Sequence, residues 1–379
     1  MIATKLFNEF FNSEKAGGIV LLVCTIISIS LANTSFATTY IDFWNISFAD
    51  HTIAQWINDG LMAIFFLLIG LELEREIYKG ELSNIKDALL PIFGAIGGIV
   101  VPAGIYLALN WESPTQNGAG IPMATDIAFA LAVIALLGKR VPVSVKVFLT
   151  ALAVIDDLGA ILIIAFFYTS TIFWSKLLIS LAVFAVLLIL NRLKVRNLIP
   201  YIIGGIVMWY FMLQSGVHAT ITGVLLAFAI PFGDGGENST SYILQHFLHK
   251  PVAFVVLPIF ALANTAIIVD SNVLGGFSEP FAWGIACGLL LGKPIGIFLF
   301  TFISSKAGWA QLPSDINWRK VLGVGFLGGI GFTMSIFITL LAFSENEIIN
   351  TSKLVIFLCS LVAGAIGFMI LRSEKIETT

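Results

Sequence analysis

Two adjacent aspartates, Asp156 and Asp157, stand in the middle of an apolar segment that runs from Val143 to Phe167. A charge at bilayer depth costs at least ~2.5–3.5 kcal/mol on insertion scales, so a neighbouring pair is expected to serve a function. Carboxylate oxygens bind protons and are also suitable ligands for hard cations. We therefore interpret the pair as an ion site.

The alternative is a soluble core helix in which the two aspartates form a cap or salt bridges. The composition argues against it, because 58% of the 379 residues are apolar or aromatic and only 11% are charged, whereas soluble domains have roughly 25% charged residues. The mean hydropathy of +0.98 indicates an integral membrane protein surrounded by lipid. A net charge of −3 indicates no nucleic-acid partner. The three cysteines have no metal-ligand spacing, and no cofactor is predicted.

The hydropathy pattern predicts an all-α integral membrane fold of twelve transmembrane helices within a single polytopic domain, residues 1–379. We place the spans near 16–33, 55–77, 88–109, 121–137, 143–167, 176–190, 198–213, 217–230, 252–269, 282–303, 321–342 and 353–371. If the N-terminus is cytoplasmic, this arrangement puts 17 of the 20 lysines and arginines on the inner side. Such a bias follows the positive-inside rule, and it predicts that both termini are cytoplasmic.

Two segments outside the spans have patterns of their own. Residues 1–15 are amphipathic and are predicted to form an interfacial N-terminal segment. Residues 38–53, in the first outer loop, alternate apolar and polar side chains as a short hairpin does. Because exposed strand edges pair with other chains, this loop predicts a homodimer, although an ordinary ordered loop explains the pattern equally well.

Two of the spans contain residues that interrupt helices. The fourth includes Gly118 to Asp126 with Pro122 inside it, and the eleventh has five glycines between Gly323 and Gly331, followed by Thr333 and Ser335. Irregular backbone at this depth is tolerated only against protein or water. For the eleventh span, close packing of small residues is the alternative explanation.

These broken spans are the middle members of two three-helix units, residues 88–167 (spans 3–5) and 282–371 (spans 10–12), which start on opposite sides of the membrane. Interrupted helices at corresponding places of an inverted repeat predict a transport site near the midplane. Half-helix ends that meet there carry partial charges. Asp126 is expected to offset the positive ends, and Lys293 the negative ones.

Five stretches of the sequence resemble the NhaA family of sodium/proton antiporters, and the similarity extends over nearly the whole chain. They are NDGLMAIFFLLIGLELERE (58–76), ATDIAFALAVIALLG (124–138), ALAVIDDLGAILIIAFFYT (151–169), GLLLGKPIGI (288–297) and GGIGFTMSIFI (328–338). The resemblance implies a transporter, not an enzyme, that exchanges Na⁺ or Li⁺ for a larger number of protons across the bacterial inner membrane. It also implies a role in sodium and pH homeostasis, with activity that rises at alkaline pH.

The resemblance also implies roles for individual residues. Asp157 is similar to the principal ion ligand and proton carrier, Asp156 to its partner, and Lys293 to the lysine paired with that partner. Thr125 and Asp126 match the Thr-Asp pair of the broken fourth span, so Asp157 and Thr125 are the expected Na⁺ ligands. The residues that match acidic or pH-responsive positions of the family are Asp59, Glu72, Glu76 and His218.

Helix geometry and electrostatics agree with these roles. Adjacent helical residues point ~100° apart, so one aspartate can bind the ion while the other meets Lys293. A desolvated carboxylate favours its protonated form, whereas a bound cation favours the ionised form. Sodium and protons therefore exclude each other. Lys293 and the aspartates are all candidates for carrying the second proton.

Two positions depart from the family pattern. Glu74 stands where relatives often have a lysine, and Gln245 where they usually have a glutamate of the pH-sensing cluster. A glutamine cannot titrate. We expect the exchange to be retained but its pH dependence to be shifted or weakened.

Three other functions use membrane-embedded charges. An intramembrane aspartyl protease needs its aspartates on separate helices, whereas this pair is contiguous. A passive cation channel needs a wet pore, which Lys293 near the path disfavours. A sodium-coupled solute symporter on a related inverted-repeat scaffold is the nearest alternative, and it requires an additional solute pocket.

Overall fold

The computed structural model describes residues 2–169 and 171–374, and the side chains of 2–14, 85 and 139 are not among the parts described. Met1 of the predicted 1–15 segment and residues 375–379 of the predicted 1–379 domain lie outside the described residues. The α-helices, numbered α1 to α18, run over Ile2–Ala32, Ala37–Asn45, Ile53–Trp56, Met62–Tyr78, Ile85–Asn110, Ile127–Leu137, Val143–Phe167, Trp174–Arg192, Leu198–Leu213, Ile221–Ala229, Thr240–Pro251, Leu257–Asn264, Ser271–Gly275, Pro280–Cys287, Lys293–Lys306, Trp318–Gly328, Phe332–Ala342 and Asn346–Arg372.

Within the described part of the chain, nine helical stretches are long and apolar enough to cross a membrane, and the bent pair α16–α17 makes a tenth. The protein is therefore a multi-pass helical membrane protein, as the composition predicted. Three of these stretches join two helices through a π-helical turn, over Ile57–Leu61, Val252–Val256 and Gly288–Gly292. Two of the predicted spans correspond to shorter helices, α9 with 16 residues and α10 with nine.

The loop between the first two spans, which was predicted to be an outer loop, contains the predicted hairpin. Strands β1 (Ser47–Phe48) and β2 (His51–Thr52) are antiparallel, with Ser47 opposite Thr52 and Phe48 opposite His51. Helix α2 precedes the hairpin in the same loop and was not predicted. Helix α1 runs without interruption through residue 15, so the predicted interfacial segment and the first span form one helix.

Both predicted helix breaks are confirmed. In the fourth span a 3₁₀ helix, Gln116–Met123, is followed by non-helical residues 124–126 and then by α6. In the eleventh span α16 and α17 are bent by 45° at residues 329–331. A Cβ at Gly329 would lie 2.5 Å from the carbonyl oxygen of Leu289, so only glycine permits this close approach.

Helix α7, which carries the aspartate pair, packs against α5, and α5 crosses α15 closely. The crossing uses glycine on both helices. A Cβ at Gly97 would lie 2.1 Å from the carbonyl oxygen of Gly296, and the reverse distance is also 2.1 Å. Small residues of this kind let two helix backbones approach each other. The contact fixes the helix that begins with Lys293 beside the helices of the fourth and fifth spans.

Candidate ion site

Lys293 and Asp156 form a buried ion pair. The Nζ atom of Lys293 lies 2.5 Å from Oδ2 of Asp156, and both side chains are fully buried. Lys293 also donates to the backbone carbonyl oxygen of Met123, the last residue of the 3₁₀ helix in the fourth span. The ammonium therefore offsets the negative end of a half-helix, as the sequence predicted.

Asp157 has no such partner. Its side chain is fully buried, yet neither of its carboxylate oxygens has a hydrogen-bond partner among the residues that the structure describes. Oδ1 of Asp156 likewise has no hydrogen-bond partner among the described residues. Buried polar atoms are nearly always hydrogen-bonded, and leaving one unpaired is costly. The two adjacent aspartates thus differ, as the ~100° rotation between helical neighbours allows: one meets Lys293, and the other has no hydrogen-bond partner among the described residues.

Asp126 lies where two helices begin. Its Oδ1 accepts the backbone N–H of Phe129 at 2.9 Å in α6. Its Oδ2 accepts the backbone N–H of Thr333 at 3.0 Å in α17, and also the Thr333 hydroxyl. Helix N-termini carry partial positive charge, and a carboxylate stabilises them. One buried side chain therefore accepts hydrogen bonds from the first turns of α6 and α17, the second half-helices of the two broken spans.

Further hydrogen bonds join the two breaks directly. Thr125 donates its hydroxyl to the carbonyl oxygen of Gly328 at 2.8 Å. The backbone N–H of Asp126 donates to the carbonyl oxygen of Ile330 at 2.6 Å, and Ser335 donates to that of Ile121 at 2.7 Å. The backbone polar groups at the two interruptions are thus hydrogen-bonded from one broken span to the other, as a low-dielectric interior requires.

Asp59 and His218 lie away from this crossing. Asp59 is in the π-helical turn of the second span, where its carbonyl oxygen accepts the indole N–H of Trp209 at 2.9 Å. His218 precedes α10, and its Nε2 lies 2.8 Å from the carbonyl oxygen of Tyr168, the residue after α7. The structure brings neither of them into contact with the Asp156–Lys293 pair.

Glu72 and Glu76 lie on α4. Glu72 lines a small cavity together with Ile127, in the first turn of α6, and His249. Glu76 accepts the backbone N–H of Glu81 at 3.0 Å and so caps the turn that follows α4. These two residues therefore have different surroundings, and only Glu72 faces the start of α6.

The two positions that depart from the family pattern lie near Arg75. Gln245 accepts the Nε–H of Arg75 at 2.6 Å, and the Arg75 guanidinium stacks over the Tyr242 ring at 4.7 Å from its centroid. Glu74 is buried, and its Oε2 has no hydrogen-bond partner among the described residues. The contact between Arg75 and position 245 is thus made here by a neutral amide.

Comparison with known proteins identifies the family. Residues 8–371 match the family described as Na⁺/H⁺ antiporter 1. The chain belongs to this antiporter family. Among its curated relatives are a Na⁺/H⁺ antiporter NhaA of Flavobacterium psychrophilum, 64% identical over 98% of this chain and 97% of the relative, and one of Cytophaga hutchinsonii, 57% identical over 98% and 96%. The resemblance found in the sequence motifs is therefore confirmed.

A solved structure shares the fold at much lower identity. The sodium proton antiporter MjNhaP1 of Methanocaldococcus jannaschii aligns with a TM-score of 0.58 and 13% identity, and the alignment covers 100% of both chains. At this identity the likeness concerns the fold alone. The overall helix arrangement of this antiporter family member thus also occurs in a protein of low sequence identity.

Two residues at the breaks were not among the predicted site residues. Thr333 was noted as polar but was not paired with Asp126, and Ser360 of α18, whose Oγ accepts the Phe332 N–H at 3.1 Å, was not noted at all. A hydroxyl in the middle of a 27-residue apolar helix was the available signal for Ser360. The π-helical turn immediately before Lys293 was also missed, and such turns are frequent at functional sites.

Proposed function

We propose that this chain exchanges Na⁺ for protons through competition of the two cations for the carboxylate of Asp157. Na⁺/H⁺ exchange follows from its membership of the antiporter family. The observation that carries the mechanism is a buried carboxylate beside the crossing of two broken helices, whose two oxygens have no hydrogen-bond partner in the described part of the chain. A desolvated carboxylate either takes up a proton or binds a metal cation, so the two ligands displace each other.

Asp157 is the principal Na⁺ ligand and proton carrier in this proposal, and Thr125 supplies a hydroxyl oxygen from the fourth span. Na⁺ is a hard cation that prefers such oxygen ligands. Asp126 holds the two half-helices together and keeps a negative charge at their positive ends. All four residues that meet at the crossing, Thr125, Asp126, Asp156 and Lys293, are at most 2% exposed. Exchange therefore requires a movement that opens the site to each side in turn.

The Asp156–Lys293 pair provides a place for a second proton. If Asp156 is protonated, Lys293 loses its counter-ion and its own proton becomes easier to release, so the pair titrates as a unit. Two protons moved for one Na⁺ make the exchange electrogenic. Li⁺ is a second hard monovalent cation that the same oxygens accept, and we include it as a substrate.

The remaining parts of the proposal concern topology and access. The chain forms twelve spans in a single domain in a bacterial inner membrane, and both termini are cytoplasmic. Residues 88–167 and 282–371 are inverted repeats. The chain binds no cofactor. The outer loop 38–53 is the dimer contact; Phe48 in its hairpin is 73% exposed. Acidic residues at the two ends of the second span attract cations, and the candidates for access and pH response are Asp59, Glu72, Glu76 and His218.

The experiment is exchange in vesicles. Asp157→Asn keeps the shape of the side chain but removes the charge, and we expect NaCl to cause no collapse of a preformed pH gradient in vesicles that contain this variant. Asp87→Asn is the matched control, because it makes the same change at an exposed position in the first turn of α5. Substantial Na⁺-dependent proton movement by Asp157→Asn would refute the assignment.

Family membership favours exchange over sodium-coupled symport, which was the alternative that the sequence left open. The same vesicles distinguish the two. In vesicles that are acidic inside, an antiporter collapses the pH gradient when NaCl alone is added. A symporter would require an added solute.

A further inference from the structure

Helix α17 begins with a residue that cannot cap it. The first N–H groups of a helix have no intrahelical acceptor, and the side chain at the N-cap position usually satisfies one of them. In α17 this position is Gly331, which has no side chain. The helix starts inside the membrane domain, where an unsatisfied N–H costs several kcal/mol. The N–H groups of Phe332 and Thr333 therefore need acceptors from elsewhere in the chain.

Two other spans supply these acceptors. Asp126, from the fourth span, accepts the Thr333 N–H at 3.0 Å. Ser360, from α18, accepts the Phe332 N–H on its Oγ atom at 3.1 Å. Ser360 is only 2% exposed. The start of α17 is thus fixed through two neighbouring N–H groups. One donates to Asp126 of the ion site, and the other donates to Ser360 of α18.

The packing of α18 keeps Ser360 in this position. A Cβ at Gly329 would lie 3.4 Å from the Cβ of Ala363, and a Cβ at Gly364 would lie 3.4 Å from Ile330. The backbone of α18 therefore lies directly against the break of the eleventh span. Such a contact leaves the Phe332 N–H facing α18 and not the ion site.

We propose that Ser360 is a positioning residue of the ion site. By accepting the Phe332 N–H it fixes where α17 starts, and thereby holds Thr333 at the distance from which it donates to Asp126. This inference rests on the proposed ion site, because its effect on transport passes through Asp126. Loss of the Ser360 acceptor lets the first turn of α17 move and weakens the contact between Thr333 and Asp126.

The test is Ser360→Ala in the full-length protein, reconstituted in vesicles. We expect the apparent KM for Na⁺ to rise about five- to tenfold, with the pH optimum displaced, because a buried donor loses its acceptor and the charge beside the site moves. A purely structural role would lower the thermal midpoint and the yield but leave KM and pH profile unchanged. An unchanged KM and pH profile in folded Ser360→Ala would overturn the proposal.

Two further variants complete the comparison. Ser352→Ala removes a hydroxyl from the same helix where the Oγ atom has no hydrogen-bond partner among the described residues, so it is expected to transport like the wild type. Ser360→Cys keeps a weak acceptor of similar size, and its KM is expected between those of the wild type and Ser360→Ala. If Ser360→Ala does not fold, a raised KM in Ser360→Cys supports the proposal, and a wild-type KM overturns it. Wild-type vesicles without any exchange would instead overturn the proposed function.

Discussion

Thr333 donates both its backbone N–H and its hydroxyl to one carboxylate oxygen of Asp126, a residue 207 positions earlier in the chain. The other oxygen of Asp126 caps α6. A single carboxylate therefore serves the N-termini of two helices, α6 and α17. Because each helix end carries about half a positive charge, the carboxylate nearly balances both. A bound metal ion is thus not needed to balance these two helix ends, and in the proposed mechanism Asp157 binds the transported ion.

The hydroxyl contact gives the first prediction. Thr333→Val keeps the shape of the side chain and the backbone N–H but removes the hydroxyl, and hydrogen bonds to charged groups contribute ~1.5–3 kcal/mol. We expect a roughly tenfold increase in the apparent KM for Na⁺ in vesicles. The control is Thr339→Val, in the same helix, where the hydroxyl only bonds the carbonyl oxygen of Ser335. Equal effects of the two substitutions would contradict the assigned contact.

The second prediction concerns the buried ion pair. Lys293→Met leaves Asp156 buried and unpaired, and breaking such a pair costs about 3–5 kcal/mol. We expect a lower thermal unfolding midpoint in detergent for this variant. The double variant Asp156→Asn/Lys293→Met removes both charges and should recover much of the loss. If the loss of stability in the double variant equals the sum of the losses in the two single variants, the two side chains do not interact.

The third prediction tests the crossing of α5 and α15. Gly97→Ala places a methyl group 2.1 Å from the carbonyl oxygen of Gly296, so the helices must separate. Overpacking of this kind costs typically ~1–3 kcal/mol, and the movement displaces Lys293. We expect reduced stability and strongly reduced exchange. Gly104→Ala lies in the same helix with no atom within 4 Å of the added methyl, and it should be neutral or slightly stabilising.

The fourth prediction concerns pH dependence. Gln245 is a neutral partner of Arg75. The increase of exchange activity at alkaline pH should therefore be shifted or weaker in the wild type when compared with its relatives. Gln245→Glu introduces a titratable group beside the guanidinium and is expected to make the pH profile steeper, as measured by exchange at several pH values. Gln311→Glu, in an exposed loop, serves as the control. A steep profile in the wild type, unaltered by Gln245→Glu, would contradict the interpretation.

The sequence predicted the features that depend on local chemistry and missed those that depend on distant contacts. Pro122 lacks a backbone donor, and five glycines cluster between Gly323 and Gly331, so both breaks were predictable, although Pro91 and Pro102 lie inside α5 without ending it. The pairing of Lys293 with Asp156 followed from a family motif. The bond between Thr333 and Asp126 and the cap provided by Ser360 join different spans, and although each residue is a polar side chain in an apolar segment, no local pattern indicates its partner. The nine-residue α10 was predicted too long because its flanking residues are also apolar.

Proton release on sodium binding tests the central claim most directly. NaCl is added to purified protein in weakly buffered detergent solution at a pH where Asp157 is partly protonated, and the released protons are followed with an indicator dye. The competition of Na⁺ and protons for one carboxylate predicts release by the wild type and none by Asp157→Asn. Sodium binding by the wild type without proton release, or unchanged release by Asp157→Asn, would contradict it.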